Sequence, residues 1–107
     1  MPMSEVDVVL KALANKRRRL AIYCLSEHRW LTLADLAEQV VEFEGVSVQE
    51  VSAKYTTEVY FSLYHTHVPK LVDAGLARYS QDQDLVSSTD DLEPLIHDAH
   101  DELSGLV

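Results

Sequence analysis

Three side chains of one short run, Ser62, His65 and Thr66, can exchange hydrogen bonds with a ligand from a single helical surface. Hydroxyls and imidazole bond to base edges or phosphate oxygens, though less selectively than arginine bonds guanine. Thr57 and Lys70 border that surface. A second group is cationic: Lys16, Arg17, Arg18 and Arg19 are consecutive, and Lys16, Arg17 and Arg19 have the chemistry of phosphate contacts. A third is His97 and His100, spaced i, i+3, with Glu93 one turn before and Asp101 one turn after. That spacing suits metal ligation. Exposed His pairs are usually unliganded, so no metal is expected. No Gly-rich phosphate loop, HExxH pair or nucleophile elbow occurs. Neither enzyme activity nor a cofactor is expected. Cys24, the single cysteine, excludes an intramolecular disulfide and a Cys-pair zinc site, and reads as a small core residue.

The elements that must position these residues are mostly helical, because only three Gly and three Pro punctuate the chain. A first helix is predicted over Ser4–Ala14, with Val6, Val9, Leu10 and Leu13 as its apolar stripe. Asn15 caps a second helix reaching Glu27. The cations of its first turn oppose the helix dipole, a conflict that an external anion would relieve. Arg18 sits at the core edge of that helix. Trp30-Leu31 reads as a short strand. Thr32 caps a third helix, with Asp35 in the capping-box position and Leu33, Leu36, Ala37, Val40 and Val41 on its buried face. Residues 45–53 form a connection. One long helix is then predicted over Thr56–Ala74. Its buried face carries Tyr60, Leu63, Tyr64, His67, Leu71 and Ala74, and its opposite face Glu58, Ser62, His65, Thr66, Pro69 and Asp73. Pro69 should kink it, and Gly75 should stop it. A hairpin follows over Leu76–Tyr79 and Leu85–Ser88. The last helix, Asp90–Leu103, carries Leu92, Leu95, Ile96, Ala99 and Leu103 as its stripe.

The 107 residues suit one domain, and 47% hydrophobic content suits a packed core. No apolar run is long enough to cross a bilayer, and the N-terminus lacks the pattern of a signal peptide, so a cytoplasmic protein without a membrane partner is expected. The net charge of −9 is unevenly spread. Residues 81–107 hold eight acids and no Lys or Arg, whereas residues 11–30 hold six basic residues and one acid. An acidic bias with only four Lys suits solubility in concentrated salt.

The runs LKALANKRRRLAIYCL, LTLADLAEQV and KLVDAGL, followed by the hairpin, resemble the winged helix-turn-helix domains of ArsR-like transcriptional regulators. The chain looks closer still to a small winged-helix family of halophilic archaea, which shares the run His65, His67, Pro69, Lys70, Leu71. The resemblance covers about residues 5–88. It implies a mainly α fold with a small β-hairpin: a winged-helix core over 15–88 flanked by helices at 4–14 and 90–104. It further implies a DNA-binding regulator whose helix 56–74 enters the major groove, through Lys16, Arg17, Arg19, Thr57, Ser62, His65, Thr66 and Lys70. The flanking helices would form a homodimer through Val6, Val9, Leu10, Leu13, Leu92, Leu95, Ile96, Ala99 and Leu103. Asp82 and Asp84 stand in the wing, where a phosphate-tracking wing favours cations. A protein-interaction module without DNA binding is the alternative, and a metal-responsive regulator using His97 and His100 a minor one.

Overall fold

The computed structural model describes residues 4–45 and 53–97. Local chemistry sets the start of each early helix. Ser4 Oγ accepts from the Asp7 amide at 3.1 Å while Asp7 accepts from the Ser4 amide, a reciprocal capping box that opens α1, Glu5–Ala12. Asn15 Oδ1 accepts from the amides of Arg17 and Arg18 at 2.9 and 3.2 Å and opens α2, Lys16–His28. After Arg29, which turns the chain with φ of 62°, comes β1, Trp30–Thr32. Thr32 Oγ1 accepts from the Asp35 amide at 3.1 Å and opens α3, Leu33–Phe43. Leu33, Leu36, Ala37, Val40 and Val41 are its buried face, as their spacing predicts.

The long helix is not one helix. It runs as α4, Ala53–Ser62, then a π-helical turn, Leu63–His67, then α5, Val68–Asp73. Pro69 explains the break. It has no amide proton to give the His65 carbonyl, and its ring crowds that carbonyl in an α-helix. The π turn answers by widening the ladder, so that the Val68 amide donates to Leu63 O, five residues back. Leu63, His67, Leu71 and Ala74 are buried as predicted, Tyr60 and Tyr64 are half-buried, and Val59 and Val68 join the core. At the end of α5, Gly75 takes φ of 78°; its amide donates to Val72 O and that of Leu76 to Leu71 O. This is the Schellman pattern that a glycine permits.

β2, Ala77–Ser80, and β3, Leu85–Ser88, form the hairpin, and β1 joins it as a third antiparallel strand in the order β1-β3-β2. Leu31 and Tyr79 both pair with Val86, while Trp30 and Arg78 both pair with Ser87. Strand alternation therefore turns Leu31, Val86 and Ala77 into the core, where all three are buried, and leaves Trp30 and Arg78 exposed on the outer face. Residues 92–97 are helical, with the Leu95 amide donating to Asp91 O. Leu92 and Leu95 are buried, and so is Val9 of α1. These three side chains are thus covered by their own chain, a correction to their assignment to a dimer interface. Val6, Leu10, Leu13 and Ile96 stay half-exposed; Ala99 and Leu103 lie outside the described residues. Among the described residues, no helix is long and apolar enough to cross a membrane.

Candidate nucleic-acid interface

The cations at the head of α2 are mostly engaged within the fold. Arg17 Nε donates to Glu44 Oε1 at 2.6 Å and Nη2 to Glu44 Oε2 at 3.2 Å, while Nη1 donates to Ser62 Oγ at 3.1 Å. Arg18 Nε donates to Ala12 O at 2.5 Å and Nη2 to Lys11 O at 3.4 Å. Arg19 Nη1 donates to Leu13 O at 2.8 Å. The conflict between cations and the positive end of α2 is therefore relieved from inside. The counter-groups are Glu44 and the carbonyl end of α1, whose dipole is negative there. Two assignments change as a result. Arg17 is a partly buried structural cation rather than a phosphate contact, and Ser62 is half-buried as its acceptor rather than turned to a groove. Arg19 remains exposed with donors to spare, and Lys16 is exposed.

The electrostatics follow the geometry. Burial pushes the Glu44 carboxyl up, but hydrogen bonds from Arg17 and Tyr55 outweigh it and hold the group below its ordinary value. The Glu44 hydrogen bond conversely holds the Arg17 guanidinium above its own. His67 is 8% exposed, and its Nδ1 lies 3.2 Å from Arg18 Nη1. Since arginine only donates, Nδ1 accepts and the ring is neutral. Burial first, then the cations Arg18, Arg17 and Lys70, push its pKa down. Cys24 is buried, and burial pushes its thiol up to about 11, as suits a core residue.

The outer face of α4, the π turn and α5 is a continuous exposed stripe: Lys54, Thr57, Glu58, Phe61, His65, Thr66, Pro69 and Lys70. Thr57, His65, Thr66 and Lys70 lie where the spacing puts them. Phe61 does not figure among the residues singled out from sequence, yet it occupies the centre of the stripe at 50% exposure. Its ring stacks on His65 (centroids 5.9 Å, planes 17° apart) and meets Tyr60 edge-on at 5.4 Å. The i, i+4 spacing of Phe61 and His65 was the available signal. Beside the stripe, Tyr60 Oη donates to Asp84 Oδ2 at 2.7 Å, and Tyr79 Oη donates to Asp84 Oδ1. Asp84 O also accepts from the Leu33 amide at 2.8 Å. Asp84 is therefore the anchor that ties the hairpin turn to α4 and α3. Asp82, exposed in the same turn, is the acid that faces solvent. The hydrogen bond that Tyr60 gives to Asp84 raises the Tyr60 phenol, while burial together with Asp84 raises that of Tyr79.

A second feature is an open groove of about 900 Å³ between α2 and residues 92–97, with Ile22, Tyr23, Leu92 and Ile96 along it and Arg19 and Glu93 at its sides. Tyr23, 50% exposed, packs edge-on against the exposed Phe43, extending the apolar surface toward α3. His97 is exposed, and His100 lies outside the described residues. Among the described residues no group of three or more His, Cys, Asp and Glu is placed to hold a metal ion. Residues 10–87 match the model of a domain of unknown function, DUF7344, a span running from α1 into β3. No curated protein and no solved structure matches the chain.

Proposed function

The chain belongs to the DUF7344 family, and we propose that it is a cytoplasmic winged-helix protein that binds double-stranded DNA as a homodimer and regulates transcription. The observation that carries this reading is the exposed stripe on the α4–α5 segment. That segment follows α3 and leads into a hairpin whose second strand, β3, is the central strand of the sheet and also pairs with β1. This order of helix, strand, two helices and hairpin is the architecture in which the last helix is offered to a major groove and the hairpin flanks it. Thr57, His65 and Thr66 supply hydrogen-bonding groups on the stripe, and Lys16, Lys54 and Lys70 are exposed cations with the chemistry to meet phosphates. The tethering of Asp84 by two phenols supports the reading too, since it leaves Asp82 as the acid presented by the turn.

The dimer reading rests on the groove along α2. The groove presents Tyr23 and Ile96 with Arg19 and Glu93 beside them, so a two-fold-related copy would meet both an apolar surface and charges of both signs. Two copies would space their helices by roughly 34 Å, one turn of DNA. Fluorescence anisotropy on pooled genomic duplex fragments across a range of KCl tests the function. Binding should weaken with salt, with a log–log slope of roughly −5 for six phosphate contacts, three per protomer. Absence of binding at every salt concentration overturns the reading. So does binding that a His65→Ala/Thr66→Ala variant leaves unchanged.

A further inference from the structure

The stripe that faces outward contains no arginine, so it lacks the side chain that makes the bidentate contact to guanine. What stands at its centre instead is an aromatic ring. Phe61 is half-exposed, so one side of its ring is open to a ligand. The ring is also held in place. His65 lies nearly parallel beneath it, and Tyr60 meets it edge-on. Tyr60 is in turn fixed through its hydroxyl to Asp84. A rigid apolar group on a groove-entering helix is preorganised for an apolar target. In the major groove of B-DNA the apolar feature of the base edges is the C5-methyl of thymine.

We infer that Phe61 is a specificity residue that packs on thymine methyl groups, so that this face selects duplexes carrying A·T pairs at defined positions. His65 positions the Phe61 ring and keeps its own ring nitrogens at the groove surface. Lys54 and Lys70, at the two ends of the stripe, bracket the contact with positive charge. The inference rests on the DNA reading above.

The test starts by selecting duplexes from a random-core library with the full chain at low KCl. The selected duplex is then resynthesised with deoxyuridine in place of thymidine, which removes the methyl group and keeps the base-pairing edge. The uracil duplex should bind about four-fold more weakly for each methyl contacted, the equilibrium equivalent of one buried methyl group. Phe61→Ala should bind both duplexes equally, near the level of wild type on the uracil duplex. Phe61→Leu, still apolar, should keep most of the discrimination. Unchanged melting by circular dichroism shows that the variants fold, as expected for so exposed a side chain. Equal binding of the two duplexes by wild type, or discrimination that survives in Phe61→Ala, overturns the Phe61 assignment while leaving the DNA reading intact. Failure to select any duplex overturns the DNA reading itself.

Discussion

Glu44 accepts from two elements at once: Arg17 of α2 through both oxygens, and Tyr55 of α4 at 2.6 Å. The pair is only partly shielded, with the Arg17 and Glu44 side chains 26% and 12% exposed, so its strength lies between that of a surface ion pair and a buried one. Glu44→Gln removes the charge that Arg17 was folded against. It should cost about 1–2 kcal/mol in urea unfolding, as for a charge-assisted hydrogen bond discounted for solvent; a loss within error would mean that Arg17 finds an equivalent partner. His67 makes a separate, pH-dependent contribution. Its folded pKa is depressed by burial and by Arg18, Arg17 and Lys70, with Glu44 opposing them. The unfolded chain therefore takes up the proton first as pH falls. The stability is complete above the ordinary histidine value and is lost as pH drops toward the folded value. The urea midpoint should fall between about pH 7 and pH 5, and His67→Gln should flatten that fall. Glu44 acts lower on the scale, because its depressed carboxyl loses its contribution only as pH falls below the ordinary carboxylate range.

At the scale of elements, the break in the α4–α5 segment is testable because two accounts of Pro69 differ in magnitude. A proline forced into an α-helix costs about 3 kcal/mol, so its removal would be strongly stabilising. A proline already accommodated by a π turn costs little, and Pro69→Ala should change stability by less than about 1 kcal/mol. Amide exchange would show whether residue 69 then acquires a protected N–H. Gly75 gives a second prediction. An added Cβ would meet Leu95 Cδ1 at 3.7 Å, an ordinary contact, so the φ of 78° alone sets the cost. Gly75→Ala should destabilise by about 1 kcal/mol, and Gly75→Asn by less. What the sequence makes legible in this fold is short in range. Asn15, Thr32 and Gly75 act within a few residues and are legible as caps and stop from spacing alone, whereas Ser4, read as the first helical residue, is the cap itself. Pro69 signalled a kink, but whether a kink, a bulge or a π turn results depends on what Leu63 and His67 pack against. Glu44 and Arg17 are 27 residues apart, and Ser62 and Arg17 are 45 apart. Nothing local announces either pair, so Arg17 read as a phosphate ligand and Ser62 as a groove contact.

For the whole molecule the governing fact is where charge and apolar surface are left once the core has closed. The groove along α2 carries Arg19, from the basic run 11–30, and Glu93, from the acidic run that begins at residue 81. That polarity suits an isologous contact, in which each copy offers both signs. Tyr23 is the residue on which to test it: it is half-exposed on the groove and meets the exposed Phe43 edge-on, so its replacement disturbs little of the protomer's own core. Tyr23→Glu sets a carboxylate into that apolar surface, near Glu93. Wild type should scatter light as a particle of twice 12.1 kDa, whereas the variant should scatter as a single chain with unaltered far-ultraviolet circular dichroism. DNA binding supplies the second readout. A protomer alone has half the phosphate contacts, so the log–log salt slope should fall in magnitude from roughly 5 to roughly 3. A variant that remains a dimer with an unchanged slope would move the interface away from this groove. A wild-type chain that is monomeric at every concentration would remove the two-fold arrangement, and with it the spacing of about 34 Å between paired helices.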